Sequence, residues 1–327
     1  MTESSSSSGL EIASLGGHSM GTRWSARIVV RAGRDLHGLH AGIRDVLDQV
    51  VAQMSTWEAA SDISRYNRAP AGTTHALPAE FVHVLRAAQE IALASGGAFD
   101  PSVGPMVALW GFGAAGNGHR VPSPAEIAAI APRVGWQRLQ WQEGQRLLQP
   151  GGLELDLSGI AKGYGVDAVA RWLQDAGVHS ALVEVGGELF GYGRKPDGQP
   201  WRVLVESAPE EDAEADLPPR VLALDGLAVA TSGDRWHRFD VDDLRYSHSF
   251  DPRSGRPVPQ AAAAVTVLAG DAMRADAWAT AMTVLGVEAG LALAASLDLA
   301  VRFLSRTPSG LQEHLSDAFL RQLETTP

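Results

Sequence analysis

Apolar residues alternate with polar ones over Trp24, Ala26, Ile28 and Val30, which predicts a strand at 24–30. Helical spacing follows. Leu39, Ile43, Val46, Leu47 and Val50 share one face of a helix over 36–54. Phe81, Val84, Leu85, Ala88, Ile91 and Ala92 do the same over 78–95, where Gly96-Gly97 ends the helix. A shaped loop is expected over 98–113, because Pro101, Pro105 and several glycines interrupt any period. A short helix at 124–131 and a strand pair over 134–148, joined near Glu143-Gly144, come next. At the centre, Leu153, Leu155 and Leu157 alternate with Glu154 and Asp156, as in a strand. From Ile160 the period changes: Ile160, Val166, Val169, Ala170 and Leu173 line one helical face as far as Gln174.

The second half is richer in strands. They are expected at 180–185, 201–206 (returning from a turn region at 191–200), 222–229, through Trp236 and Phe239, 265–269 and 299–304. Helices are expected from Asp276 to about Gly286 and over 287–296. Strands separated by helices, with hairpin-like joins, give an α+β class. No internal domain boundary shows, so residues 17–327 form one domain, and the serine-rich residues 1–16 are expected to be disordered.

Composition narrows the function. Hydrophobic residues make up 45% of the 327 and the net charge is -11, which suits a soluble globular protein and argues against nucleic acid as its partner. An anionic cofactor would then need local cations. With no cysteine, disulfides, thiolate catalysis, thiolate metal sites and a lipobox are excluded. No signal peptide and no apolar run approaching a membrane span are visible. As written, the chain is expected to be cytoplasmic, or periplasmic if an export signal was removed. The acidic stretch 206–219 reads as an exposed loop without a catalytic role.

Several groups carry candidate chemistry. Gly159, Gly163 and Gly165 crowd the strand–helix join beside Asp156 and Lys162, a pattern suited to a phosphate-bearing cofactor. Neither a Walker loop nor G-x-G-x-x-G is present, and an ordinary corner with a solvated Lys162 fits the spacing equally well. Asp276 and Thr280, four apart, place two oxygens on one helical face, as a hard cation requires. Simple capping, with Asp276 at the helix start and Thr280 bonded back to a carbonyl, is the reading that spacing alone favours. His248 stands between Ser247 and Ser249, ahead of Asp251, either as a structural histidine or as a proton acceptor. Trp57 is either core or a ring for a flat ligand. His37 and His40 lack a third ligand and read as surface. Ser61 reads as a helix cap and Ser64 as the cap of a second turn.

Taken together, these segments resemble the ApbE-type flavin transferases, the FAD:protein FMN transferases. The matching pieces are M-G-T at Met20; M-S-T-W at Met54 with S-D-I-S-R-Y-N; G-A-F-D-P-S-V-G-P with L-W-G-F-G; D-L-S-G-I-A-K-G-Y-G-V-D; V-G-G-E; A-T-S-G-D; Y-S-H-S-F-D-P-R-S-G; and A-D-A-W-A-T. They fall in family order over about residues 17–286. The resemblance implies T-fold-like halves built from antiparallel sheets packed with helices, with FAD in a cleft between them. It implies transfer of FMN from FAD to a Ser or Thr hydroxyl of an acceptor flavoprotein, a redox protein subunit or domain, with release of AMP. Met20, Trp57, Ala98, Phe99, Asp100, Asp156, Lys162 and Phe250 would then line the FAD site. Gly159, Asp276 and Thr280 would hold Mg2+, with Mn2+ not distinguished from it, and His248 would be catalytic. Many members carry an aspartate where Glu188 stands and an aliphatic residue where Phe250 stands. Two other functions fit the same resemblance: Mg2+-dependent FAD hydrolysis to FMN and AMP, and a non-catalytic FAD-binding maturation protein.

Overall fold

The computed structural model describes residues 9–114, 116, 120–205, 217, 219–233, 238–241, 244–247, 250–258, 262–307 and 310–324. Its frame is one antiparallel sheet of eight strands whose spatial order is their sequence order. These are β1 (Leu10–Ser19), β2 (Thr22–Arg31), β3 (Ala181–Val185), β4 (Glu188–Tyr192), β5 (Leu227–Ser232), β6 (Ala264–Ala269), β7 (Ala300–Thr307) and β8 (Gly310–Leu315). The α-helices among the described residues are α1 (His37–Met54), α2 (Asp62–Asn67), α3 (Ala79–Ala94), α4 (Gly104–Leu109), α5 (Pro124–Ile130), α6 (Ala161–Asp175), α7 (Ala272–Leu297) and α8 (Asp317–Glu324). The α+β class and the antiparallel, helix-packed sheet are as expected. β1 and β2 come from residues 10–31 and the other six strands from residues 181–315.

Period-two alternation decides which layer each residue joins. Ala181, Val183, Ala228, Ala230, Val265, Val267, Val301 and Phe303 face the helical layer and share the main core with α1, α6 and α7. Their neighbours Leu182, Val229, Leu268 and Ala300 face the other way, onto Trp201, Leu222, Leu224 and Phe319. The middle strands are therefore covered on both faces, which is why their sequences read as nearly continuous apolar runs. α7 is long and apolar enough, by length and composition, to cross a membrane, which corrects the expectation that no such run exists. Here it is packed on the sheet, with Ala275, Ala277, Ala279, Ala281 and Met282 buried in the main core.

The structure corrects several expectations. Residues 10–16 are not disordered: they form most of β1, paired with β2 through a two-residue turn in which Met20 (φ 53) and Gly21 (φ 71) are both left-handed. Leu153–Leu157 is extended but belongs to no ladder. Side chains and loops supply its hydrogen bonds instead. Asn67 both donates to Leu155 O (2.9 Å) and accepts from Leu155 N (2.7 Å), and Asp156 N donates to Pro101 O. Trp201–Leu204 pairs with Val221–Leu224 rather than returning onto β4. The strand pair expected over 134–148 is present but shorter, Gln140–Gln142 with Arg146–Leu148, because Trp136–Arg138 is a helical turn. The loop at 98–113 contains α4. α7 begins four residues before Asp276, while its break at Gly286 (φ 74) falls where the two expected helices divide. Ser61 caps α2 by accepting from Ser64 N, so Ser64 is capped rather than capping. Residues 206–216 and 218 of the acidic stretch, and Trp236 of the expected strand, lie outside the described residues.

Candidate functional site

The site grows from the place where the N-termini of α6 and α7 meet. A Cβ on Gly163 would lie 2.1 Å from Ala272 O, so only glycine permits this backbone approach. Each helix then caps the other. Asp167 of α6 accepts from Ala272 N (2.8 Å) and Met273 N (2.9 Å), two of the free donors that start α7. Asp276 of α7 accepts from Gly163 N (3.0 Å) through Oδ2. This settles the capping alternative. The cap of α7 is Asp271, which accepts from Arg274 N, and it is Thr283 rather than Thr280 that bonds back, to Ala279 O.

Lys162 stands between two carboxylates. Its Nζ is 2.6 Å from Glu188 Oε1 and 3.7 Å from Asp276 Oδ1. Glu188 opens β4 after the Gly186-Gly187 turn, and the lysine stem lies along that turn: a Cβ on Gly186 would be 3.2 Å from Lys162 Cδ. Lys162 is therefore not a solvated corner residue. Burial alone would lower its pKa, but the charges of Asp276 and Glu188 outweigh burial and raise it. Burial raises Asp276, and it raises Glu188 with help from Asp276 and against Lys162. Asp167 is pushed up to about 6 by burial, against the two N–H groups it accepts from.

Other expected residues join this junction. A Cβ on Gly159 would sit 2.9 Å from Thr280 Oγ1 and 3.3 Å from Phe99 Cε2, which puts the Gly159 backbone against both. Met20, held left-handed in the β1–β2 turn, reaches α6, where its Sδ would be 3.2 Å from a Cβ on Gly165. Ala98 is buried with Phe99. Asp156 Oδ1 accepts from Ser158 N and Ser158 Oγ, which folds the approach to α6 into a tight turn. Asp100 is already engaged at both oxygens, by Ser102 N and Oγ at one and by Trp136 N at the other. Phe250 packs in a separate aromatic cluster with Trp110 and Phe112, at ring separations of 5.8 and 5.5 Å. Trp57 is not core: it is 73% exposed. His248 lies outside the described residues.

No cluster of three or more His, Asp or Glu suited to a metal exists among the described residues. The oxygen set nonetheless fits a hard cation that keeps waters and takes phosphate ligands: one buried carboxylate at Asp276, with the Thr280 hydroxyl beside the Gly159 backbone. Sequence reasoning missed the roles of Glu188, Asp167 and Asp271. The signal for Glu188 was an acid directly after a Gly-Gly turn. Asp167 and Asp271 become caps only once α6 and α7 are placed together.

A profile of the ApbE family matches residues 20–303. The chain belongs to the ApbE family. It is 35% identical to the FAD:protein FMN transferase of Vibrio cholerae serotype O1, covering 93% of this chain and 91% of that protein. It is 33% identical to that of Haemophilus influenzae, over 96% of this chain and 92% of the other. Among solved structures it superimposes on the apo form of the Pseudomonas stutzeri flavinyl transferase ApbE with a TM-score of 0.89 at 38% identity, covering 96% of this chain and 97% of that one. The flavin transferase ApbE from Vibrio cholerae gives a TM-score of 0.87 at 34% identity, over 96% and 100% of the two chains. This ApbE chain is accordingly a transferase, which sets aside the non-catalytic reading.

Proposed function

We propose that this transferase moves the FMN half of FAD onto a Ser or Thr hydroxyl of an acceptor flavoprotein, releasing AMP. The observation that carries the proposal is the α6–α7 junction, where Lys162 and Asp276 converge in a chain of the ApbE family. The acceptor oxygen forms a bond to the FMN phosphorus. The bond from that phosphorus to the bridging pyrophosphate oxygen breaks, and AMP leaves with that oxygen. Gly159, Asp276 and Thr280 would hold Mg2+ or Mn2+, which would neutralise charge on the pyrophosphate. Lys162 presents a fixed ammonium to the same phosphates, and the pair answers the problem of an anionic substrate on a protein of net charge -11. Phe99 and Met20 wall the junction, Trp57 offers an exposed ring to the flavin, and His248 takes the hydroxyl proton.

The test is incubation with FAD, Mg2+ and a candidate redox flavoprotein domain, followed by the intact mass of the acceptor and an assay of AMP. An acceptor heavier by one FMN, with matching AMP, is expected. AMP without the adduct across acceptors would instead make the chain an FAD hydrolase, and transfer undiminished after rigorous chelation would remove the metal.

A further inference from the structure

Among the described residues, Glu188 is the least explained charged group. It is 3% exposed, its Oε1 holds Lys162 at 2.6 Å, and its Oε2 is buried without a hydrogen-bond partner. A buried carboxylate oxygen left unsatisfied weakens the fold and points to a role other than stability. The salt bridges of Glu188 and Asp276 both go to Lys162, so two buried carboxylates compete for one ammonium. The competition is unequal. At 2.6 Å the contact with Glu188 is a charge-assisted hydrogen bond, whereas 3.7 Å to Asp276 Oδ1 is too long for one. The other Asp276 oxygen is taken by Gly163 N. Oδ1 is therefore the oxygen from which a cation would be held, and it stays clear only while Lys162 leans toward Glu188. The Gly186 turn leaves room for that lean. Gly186 is left-handed (φ 64), and the Lys162 stem passes where a Cβ would crowd it at 3.2 Å.

We propose that Glu188 is a positioning residue that holds Lys162 off Asp276, keeping Asp276 Oδ1 open to a divalent cation. The proposal rests on the cation-assisted reading given under Proposed function. Without the Glu188 charge, Lys162 has one carboxylate left within reach. Desolvation drives it there, because a partly buried ammonium without a counter-charge is costly. The ammonium then occupies the oxygen that the cation needs. Glu188 thus acts on the cation through Lys162, without being a ligand.

Direct Mn2+ binding to the full chain, measured by electron paramagnetic resonance with and without FAD, tests this independently of turnover. Glu188→Gln is expected to weaken Mn2+ by about tenfold, the lower end of the usual loss when a residue behind a metal ligand is removed. In a Lys162→Met background the same Glu188→Gln change is expected to alter affinity by less than about twofold, since the competitor is gone. An equal loss in both backgrounds overturns the proposal, because Glu188 would then act by its own charge. No loss in either background also overturns it. Should Glu188→Gln not fold, as read from its thermal melt, Glu188→Ala replaces it. It too removes the carboxylate that holds Lys162, so a loss confined to the Lys162-containing background is expected, and the same loss in both backgrounds counts against the proposal. If the wild-type chain binds no Mn2+ with or without FAD, the cation reading itself fails, a result distinct from wild-type-like binding in the variants.

Discussion

The α6–α7 junction and the Trp57 turn are built on opposite plans. At the junction nearly every charged group already has a protein partner: Asp167 holds two N–H groups of α7, Asp276 holds one of α6, and Lys162 is shared between Glu188 and Asp276. Trp57 stands 73% exposed at the end of α1, tied down by little more than a backbone N–H to Ser55 Oγ. The junction is organised before any ligand arrives, so fold and chemistry depend on the same atoms there. The Trp57 turn presents an open ring, the one proposed above to meet the flavin. Substitutions in the first region should move stability and turnover together, and substitutions in the second should move binding alone.

The largest expected effect is at Asp276. Asp276→Ala removes the carboxylate proposed to hold the cation, and we expect a loss of turnover of about 10³-fold, the upper end of what removing one preorganised group from a transition state costs. The same change orphans Gly163 N and leaves Lys162 with Glu188 alone, so roughly 1–3 kcal/mol of stability should be lost as well. Single-turnover AMP release and urea unfolding measured on one preparation decide it. Wild-type turnover across a magnesium titration would remove Asp276 from the chemistry.

Gly163→Ala probes the fold half of the contrast. The new methyl meets backbone rather than a pliable side chain, with Ala272 O 2.1 Å from its position and Met273 Cα 2.8 Å away. The helices must separate, at a cost of about 3 kcal/mol, the upper end for overpacking. A variant with an unchanged denaturant midpoint would show that the junction is looser than its geometry implies.

The two regions were also unequally legible in the sequence. The helices of the first half and the alternating strands could be read, because periodicity records which face is buried and burial here is sharply one-sided for α1, α3 and α6. The site residues on D-L-S-G-I-A-K-G and A-D-A-W-A-T were half legible without the resemblance, since spacing left Lys162 equally a solvated corner residue and favoured Asp276 as a cap of its own helix. It is a cap, but of α6, across 113 positions of sequence. No local rule reports a partner that far away. Leu153–Leu157 misled for a related reason: its alternation is real and its leucines are buried, but Asn67 and Pro101 take the hydrogen bonds a neighbouring strand would make. Asp271 was missed because the helix was started too late.

Asp167 sharpens the contrast through pH. Its native pKa is raised to about 6 by burial, while an unfolded aspartate titrates near 3.9. The native state therefore retains a proton that the unfolded chain has released between about pH 4 and pH 6. The stability Asp167 contributes is full below that window and is lost as pH rises through it, by about 2 kcal/mol. Asp167→Asn does not titrate, so the wild-type advantage over this variant should shrink by that amount between about pH 4 and pH 7. Urea midpoints at both ends of the range measure it, and a constant difference would mean that Asp167 is ionised throughout.

Trp57→Ala should have the smallest effect, and only on binding. A side chain this exposed gives up little packing when truncated, so the denaturant midpoint should stay within about 0.5 kcal/mol of wild type. A flavin stacked on the indole would gain about 0.5–1.5 kcal/mol beyond its buried area, so FAD affinity should fall by about tenfold or less. Trp57→Phe retains a flat ring and should recover most of the loss, which a purely steric role would not predict. Calorimetric titration of FAD and FMN into both variants reads this out. A parallel loss for the two ligands assigns Trp57 to the flavin, because that half is common to both, whereas a loss confined to FAD assigns it to the adenylate. A drop in stability equal to the drop in affinity would erase the distinction between the two regions and make the Trp57 turn part of the same preorganised frame.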